Sequence, residues 1–150
     1  MTRLSTEKTR AAVDALVPFY EQLRPDDVER FDLYYRHDAC FRDPFNHVNS
    51  IDGIKRIFKH MFTQVHDPVF RIKKVIIGEG DAILFWTFHF RFKTLGCKTV
   101  QSLEGVSHLE FDDAGQVTLH RDYWDAAEEL YARPPVIGPI MRGLQRIIRV

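Results

Sequence analysis

Apolar positions along the chain follow a helical period first and a strand period afterwards. Between residues 6 and 23, Val13, Leu16, Val17 and Tyr20 recur at helical spacing, with Phe19 and Leu23 beside that stripe. Pro25-Asp26-Asp27 ends this helix and starts another, Asp26 standing three residues before Glu29 as in a capping box. Val28, Phe31 and Tyr35 mark the buried side of that second helix. A short strand is expected at about 37–43, stopped by Pro44. Ser50 then reads as the N-cap of a third helix carrying Ile54, Ile57, Phe58, Met61, Phe62 and Val65 on one face. From residue 68 the pattern is that of strands. Segments 69–77 and 82–93 flank the turn Gly78-Glu79-Gly80-Asp81, Thr94-Leu95-Gly96 makes a second turn, and Asp112-Asp113-Ala114-Gly115 a third. The last strand covers 116–125. Helices followed by successive antiparallel strands define an α+β plan.

The strand over 82–93 alternates with unusual regularity. Trp86, Phe88, Phe90 and Phe92 share one face, and Thr87, His89, Arg91 and Lys93 the other. Those aromatics either pack on the helices or line a cavity. Polar residues of matching parity favour the cavity. Phe41-Arg42-Asp43-Pro44-Phe45 ends the first strand with a carboxylate between phenylalanines, and His120-Arg121-Asp122-Tyr123-Trp124-Asp125 places His120, Asp122 and Trp124 on one face. Ser107 joins them there. A hydrocarbon core rarely tolerates unpaired carboxylates. In aromatic surroundings a carboxylate's pKa tends to rise, which suits proton transfer.

Composition narrows the picture. A chain of 150 residues is expected to form one domain, residues 1–150, burying roughly 68–70% of its unfolded surface. The 21 basic and 21 acidic residues cancel, so no global field attracts nucleic acid. Cys40 and Cys97 show no metal or redox spacing, and the seven histidines show no ligand spacing on one element, so neither a metal nor a cofactor is expected. With no apolar signal core at the N-terminus, a cytoplasmic location is expected.

The order of elements, the Asp-Pro that ends the first strand, the long hairpins and the His-Arg-Asp-Tyr-Trp-Asp strand together resemble the nuclear transport factor 2-like superfamily, nearest its SnoaL-like and ketosteroid-isomerase-like branch. The resemblance spans about residues 8–127. It implies a cone: a strongly curved, mainly antiparallel sheet wrapped around the N-terminal helices and enclosing a pocket, with homodimers formed through the outer sheet face. Asp43 matches the general base of ketosteroid isomerase, whose oxyanion hole uses a tyrosine and a protonated aspartate. Phe19 and Ser107 take those two places here, with Tyr20 adjacent should the register shift by one. Losing one oxyanion donor typically costs about 2.7–4 kcal/mol, so the steroid-isomerase mechanism is not expected. SnoaL-type cyclases resemble the chain in placing an acid/base aspartate where Asp122 lies. The Asp–Arg pairing of limonene-epoxide-hydrolase relatives is missing around Arg91.

Two functions from different classes follow. One is a cofactor-independent isomerase or cyclase acting on an apolar carbonyl compound, with Asp43 as base and Asp122–His120 as acid or orienting pair. Phe19, Phe41, Phe45, Phe58, Trp86, Phe88, Phe90, Ser107 and Trp124 would contact the substrate. The other is a noncatalytic module that binds an apolar ligand or a protein. Asp43 could equally cap its loop, the Asp122–His120 pair could be purely structural, and Trp124 could simply pack. Arg42 and Arg121 alternate away from the pocket toward salt bridges, and His108 toward the surface or a dimer contact. Residues 133–150 carry Arg133, Arg142, Arg146 and Arg149 without an acid, and Ile140, Leu144, Ile147 and Ile148 form a short stripe. Such a basic amphipathic extension either packs on the cone or a partner subunit, the favoured reading, or touches an anionic membrane surface.

Overall fold

The computed structural model describes residues 3–93, 99–126, 142–143 and 146–147. Helix α1 covers Thr6–Glu21, where the Ser5 hydroxyl accepts from Lys8 N and Val13, Leu16, Phe19 and Tyr20 are buried. A 3₁₀ helix follows at Pro25–Leu33 and buries Val28 and Phe31. Its cap differs from the expected one. Asp27, not Glu29, reaches back to accept from a cap amide, that of Arg24, at 3.1 Å. Glu29 instead pairs with Lys55 and Lys59 of helix α2, Ile51–Gln64. The Ser50 cap is as expected, accepting from Gly53 N at 3.1 Å.

The strands are β1 (Tyr35–Arg42), β2 (His47–Val48), β3 (Val65–Ile77), β4 (Asp81–Phe92), β5 (Gln101–Phe111) and β6 (Val117–Trp124). They form one sheet in the order β2-β1-β6-β5-β4-β3, antiparallel except where β1 runs parallel to β6. Tyr35 therefore opens β1 instead of closing a helix, and Val65 opens β3 instead of lying on α2's apolar face. The short β2 was not expected from the sequence. The sheet is curved and unclosed. Register shifts in β1 between Tyr35 and Cys40, in β3 on either side of Val69–Ile72 and at the β5–β6 turn supply bends of the kind bulges impose. Asp67 sits at one of them with φ 50°.

The concave face carries Leu84, Trp86, Phe88, Phe90, Leu103 and Leu109, all buried with α1, the 3₁₀ helix and α2 in one core. Gly80 takes φ 75° in the β3–β4 turn, and its N–H donates to Thr9 Oγ1 at 3.0 Å, tying that turn to α1. Among the described residues no helix is long and apolar enough to cross a membrane. The Thr94-Leu95-Gly96 turn and Cys97 lie outside the described residues, as does nearly all of the C-terminal extension; of its stripe only Ile147 is described, and it is exposed.

Candidate active site

Strand pairing sets the site out in rows. Leu84 pairs with Ser107 and Ser107 with Asp122; Trp86 pairs with Gly105 and Gly105 with Trp124; Leu109 pairs with His120, which lies opposite Phe41 of β1. Ser107, Asp122 and His120 thus point into the same concavity from adjacent strands, as their parity requires.

Hydrogen bonds join them into a chain with one direction. The Trp86 indole can only donate, and its Nε1–H reaches Ser107 Oγ at 2.8 Å. Ser107 must then turn its own proton elsewhere, and it donates to Asp122 Oδ1. From the other side, His120 Nε2 lies 2.8 Å from the same Oδ1, and Tyr35 OH lies 2.6 Å from His120 Nδ1. Tyr20 OH meets Tyr35 OH at the far end. Only one arrangement of side-chain protons gives every buried O–H an acceptor. Tyr20 donates to Tyr35, Tyr35 to His120 Nδ1, and His120 Nε2–H to Asp122. Orphaned donors are the costlier fault, so this direction is favoured. Burial pushes both phenols well above the ordinary tyrosine range, most of all by denying the phenolate water. They act as neutral donors.

Both donors to Asp122, Ser107 and His120, meet the same oxygen, Oδ1. The other oxygen, Oδ2, accepts no hydrogen bond among the described residues, and no buried polar atom there lacks a partner. Oδ2 is therefore accessible. Asp122 lines a cavity of about 420 Å³, a water-sized niche of about 30 Å³, and an open depression shared with Arg42, Arg121 and Asp125. The cavity wall is mostly apolar, with Phe41, Ile57, Phe58, Met61, Phe70, Trp86, Phe88, Leu103 and Trp124. Tyr20, Ser107 and His120 line the niche.

Asp43 lines the same cavity in a different condition. Its Oδ1 accepts from Phe45 N at 2.7 Å, Asn46 N at 2.6 Å and Asn46 Nδ2 at 3.1 Å, and Oδ2 from Asn46 Nδ2 at 3.0 Å. This is an Asx-type turn that caps the loop before β2. A carboxylate so engaged has few lone pairs left for a substrate proton, the arrangement that the loop-capping reading of Asp43 anticipates.

Three expected contact residues fall elsewhere. Phe19 packs its ring on Phe31 and Tyr34 at centroid distances of 5.0 and 4.5 Å, on the flank of α1 away from the cavity. Phe45 is half exposed and stands edge-on to Trp124 at 5.4 Å. Phe90 stacks between Phe88 and Phe92 and lines neither cavity. Tyr20, named from the sequence only as a neighbour of Phe19, and Tyr35, read there as a helix residue, both join the hydrogen-bond chain. Tyr35, Ala39 and Phe41 are buried along β1, but the register shift between Tyr35 and Cys40 hides Tyr35 from a strand read as starting at 37. Arg121, expected in a salt bridge, instead lies over the Tyr123 ring at 4.6 Å. His108 faces Asp81 at 3.6 Å. No group of three or more metal-ligating side chains occurs among the described residues.

Gly105 gives this geometry its room. A Cβ there would stand 2.3 Å from the Trp86 ring, which crosses the strand at that point. Gly105→Ala is expected to push the indole off Ser107 and destabilise the fold by about 1–3 kcal/mol, as overpacking does. A red shift of tryptophan emission together with a lowered Tm would show it; unchanged emission would mean the ring is not held there.

A curved open sheet around N-terminal helices, with a carboxylate on the last strand facing an apolar cavity, defines a protein of the nuclear transport factor 2-like superfamily. The SnoaL-like domain family matches residues 16–120, and the chain belongs to it. A protein assigned as a SnoaL-like polyketide cyclase from Jannaschia sp. CCS1 shares its fold with a TM-score of 0.70 at 13% identity, over 86% of this chain and 94% of that one. An LEH-like epoxide hydrolase from M. tuberculosis gives 0.65 at 17% identity, over 95% and 91%. A hypothetical protein with a ketosteroid isomerase-like fold from Catenulispora acidiphila DSM 44928 gives 0.67 at 13%, over 79% and 88%. At such identities the likeness is one of fold. None of the curated proteins matches the chain in sequence.

Proposed function

We propose that the chain binds a small, largely apolar carbonyl compound in the cavity and moves a proton on it as a cofactor-independent isomerase or cyclase. The observation that carries this reading is the convergence of Ser107 and His120 on Asp122 Oδ1, which leaves Oδ2 free of hydrogen bonds among the described residues on a side chain that lines an apolar cavity. Two donors fix the carboxylate's orientation, and the apolar wall keeps bulk water from competing for the substrate proton. Asp122 Oδ2 takes a proton from the carbon beside the carbonyl, and the same carboxylic acid returns it at another carbon or at oxygen. Ser107 and His120 hold Asp122 while it does so.

The network also limits the substrate. Among the described residues Trp86, Ser107, Tyr35 and Tyr20 all spend their protons within it, so none remains deep in the cavity to meet a developing oxyanion. Substrates whose C–H is already acidic, such as 1,3-dicarbonyl compounds, need that help least. The same shortage supports a second reading, a ligand-binding module without turnover. Native mass spectrometry of freshly purified protein, with identification of what denaturation releases, tests the binding common to both. A stoichiometric apolar carbonyl compound supports the reading; a protein that stays empty and takes up no such compound when titrated contradicts it.

The reading includes a cytoplasmic homodimer formed through the convex face. Ile76 and Tyr123 are about half exposed there, and Phe85 and Val106 border a shallow groove with Tyr123. Tyr123→Lys is expected to weaken the dimer at least tenfold, measured by analytical ultracentrifugation; a monomeric parent protein would remove the interface.

A further inference from the structure

The cavity has a cationic edge that the acid/base reading does not use. Arg56 and His60 stand one turn apart on α2, line the cavity beside Ile57 and Met61, and are exposed, which places them at its mouth. Neither side chain makes a hydrogen bond or ion pair with the described residues. Asp52, one turn before Arg56, comes no closer than the 4.0 Å that would make an ion pair. Neighbouring cations on the same helix behave otherwise. Lys55 is bound by Glu29 and Asp32, and Lys59 by Glu29.

Among the described residues, the acids that face this cavity are Asp43 and Asp122. Both are engaged by N–H or O–H donors, Asp43 by its own loop and Asp122 by Ser107 and His120. Neither ion-pairs with Arg56. The cavity is thus polarised: a carboxylate with a free oxygen on one wall, a guanidinium and an imidazole without a partner among the described residues at its rim, and hydrocarbon between.

From this arrangement we infer that the ligand carries an acidic group, a carboxylate or its equivalent, at the end opposite the reacting carbon. Resting on the reading of the cavity as a ligand site, the inference deepens it: the substrate class is an apolar carbonyl acid. Arg56 takes the anion, in bidentate fashion where geometry allows, and His60 adds a second N–H donor. Asp122 repels the same anion, so the ligand can enter in one orientation only, with its carbonyl end inward. Charge at the mouth contributes binding that weakens as salt rises, whereas the apolar contribution does not weaken with salt.

Trp86 and Trp124 are the chain's two tryptophans and both line the cavity, so intrinsic fluorescence reports its occupancy. Decanoate, decan-1-ol and methyl decanoate are titrated into the wild-type protein and into Arg56→Gln and His60→Gln, whose folding is checked by circular dichroism. Wild type is expected to bind decanoate about two- to fivefold more tightly than the alcohol or the ester, the range of an exposed ion pair. Arg56→Gln is expected to abolish that preference while leaving alcohol affinity unchanged. Equal affinities for the three in wild type, or a preference that survives Arg56→Gln and His60→Gln, would overturn the anionic group and leave the cavity reading intact. Binding of none of them would overturn both.

Discussion

Asp122→Asn is expected to lower the rate of proton transfer on a carbonyl substrate by about 10²–10⁴-fold, the usual span for removing a positioned acid/base group. The amide keeps the shape and can still accept from Ser107, so stability should move little. Asp43→Asn is expected to do the reverse. It swaps an acceptor oxygen for a donor opposite the Asn46 amide groups, loosening the 43–46 loop by about 1–2 kcal/mol while costing less than tenfold in rate. Rates and melting temperatures measured on both variants separate the roles. A large rate loss in Asp43→Asn with an active Asp122→Asn would return the base to Asp43.

The second large effect is on stability. Tyr35→Phe deprives Tyr20 of its acceptor and His120 Nδ1 of its donor, both in the buried interior. At about 1–3 kcal/mol for each unmet group, the loss is roughly 2–6 kcal/mol, or a fall of about 10 °C in Tm for a chain of this size. The pH dependence follows from the direction of the phenol shifts. Folded Tyr20 and Tyr35 hold their protons well above pH 10, whereas in the unfolded chain they ionise near 10. Their contribution is therefore complete below about pH 10 and is lost as pH rises beyond it, at about 1.4 kcal/mol per pH unit for each phenol. Urea unfolding between pH 8 and 11.5 should show a shallower alkaline decline in Tyr20→Phe and Tyr35→Phe. An identical decline in wild type and both variants would mean that these phenols are not buried as described.

Much of the fold is legible in the sequence because long periodic segments leave little choice. The alternation through Trp86, Phe88 and Phe90 sets both a strand and its buried face, and the parity of His120, Asp122 and Trp124 places the site carboxylate. The Ser50 cap is equally local. What escapes the sequence depends on bends and on tertiary competition. A bulge between Tyr35 and Cys40 lets β1 begin early, moving Tyr35 from an expected helix into the site. Phe19 and Tyr20 are neighbours on α1 and both buried, so spacing alone cannot say which flank meets the cavity. The structure turns Tyr20 toward it. Asp43 deceives for another reason: its aromatic neighbours suggest a buried base, yet Asn46 and the backbone claim it first. Arg56 and His60 leave no apolar signal at all, since their meaning comes from the cavity beside them.

The base role proposed for Asp122 depends on the direction of the hydrogen-bond chain that ends on it, and that direction can be read without knowing the substrate. Long-range ¹H–¹⁵N correlation spectra of the histidine rings, assigned through His120→Gln, report which ring nitrogen of His120 carries the proton. Nε2 is expected to be protonated toward Asp122, with Nδ1 bare and accepting from Tyr35. A proton on Nδ1 would reverse the chain, leave Tyr20 without an acceptor among the side chains, and contradict an Asp122 held ready as the base.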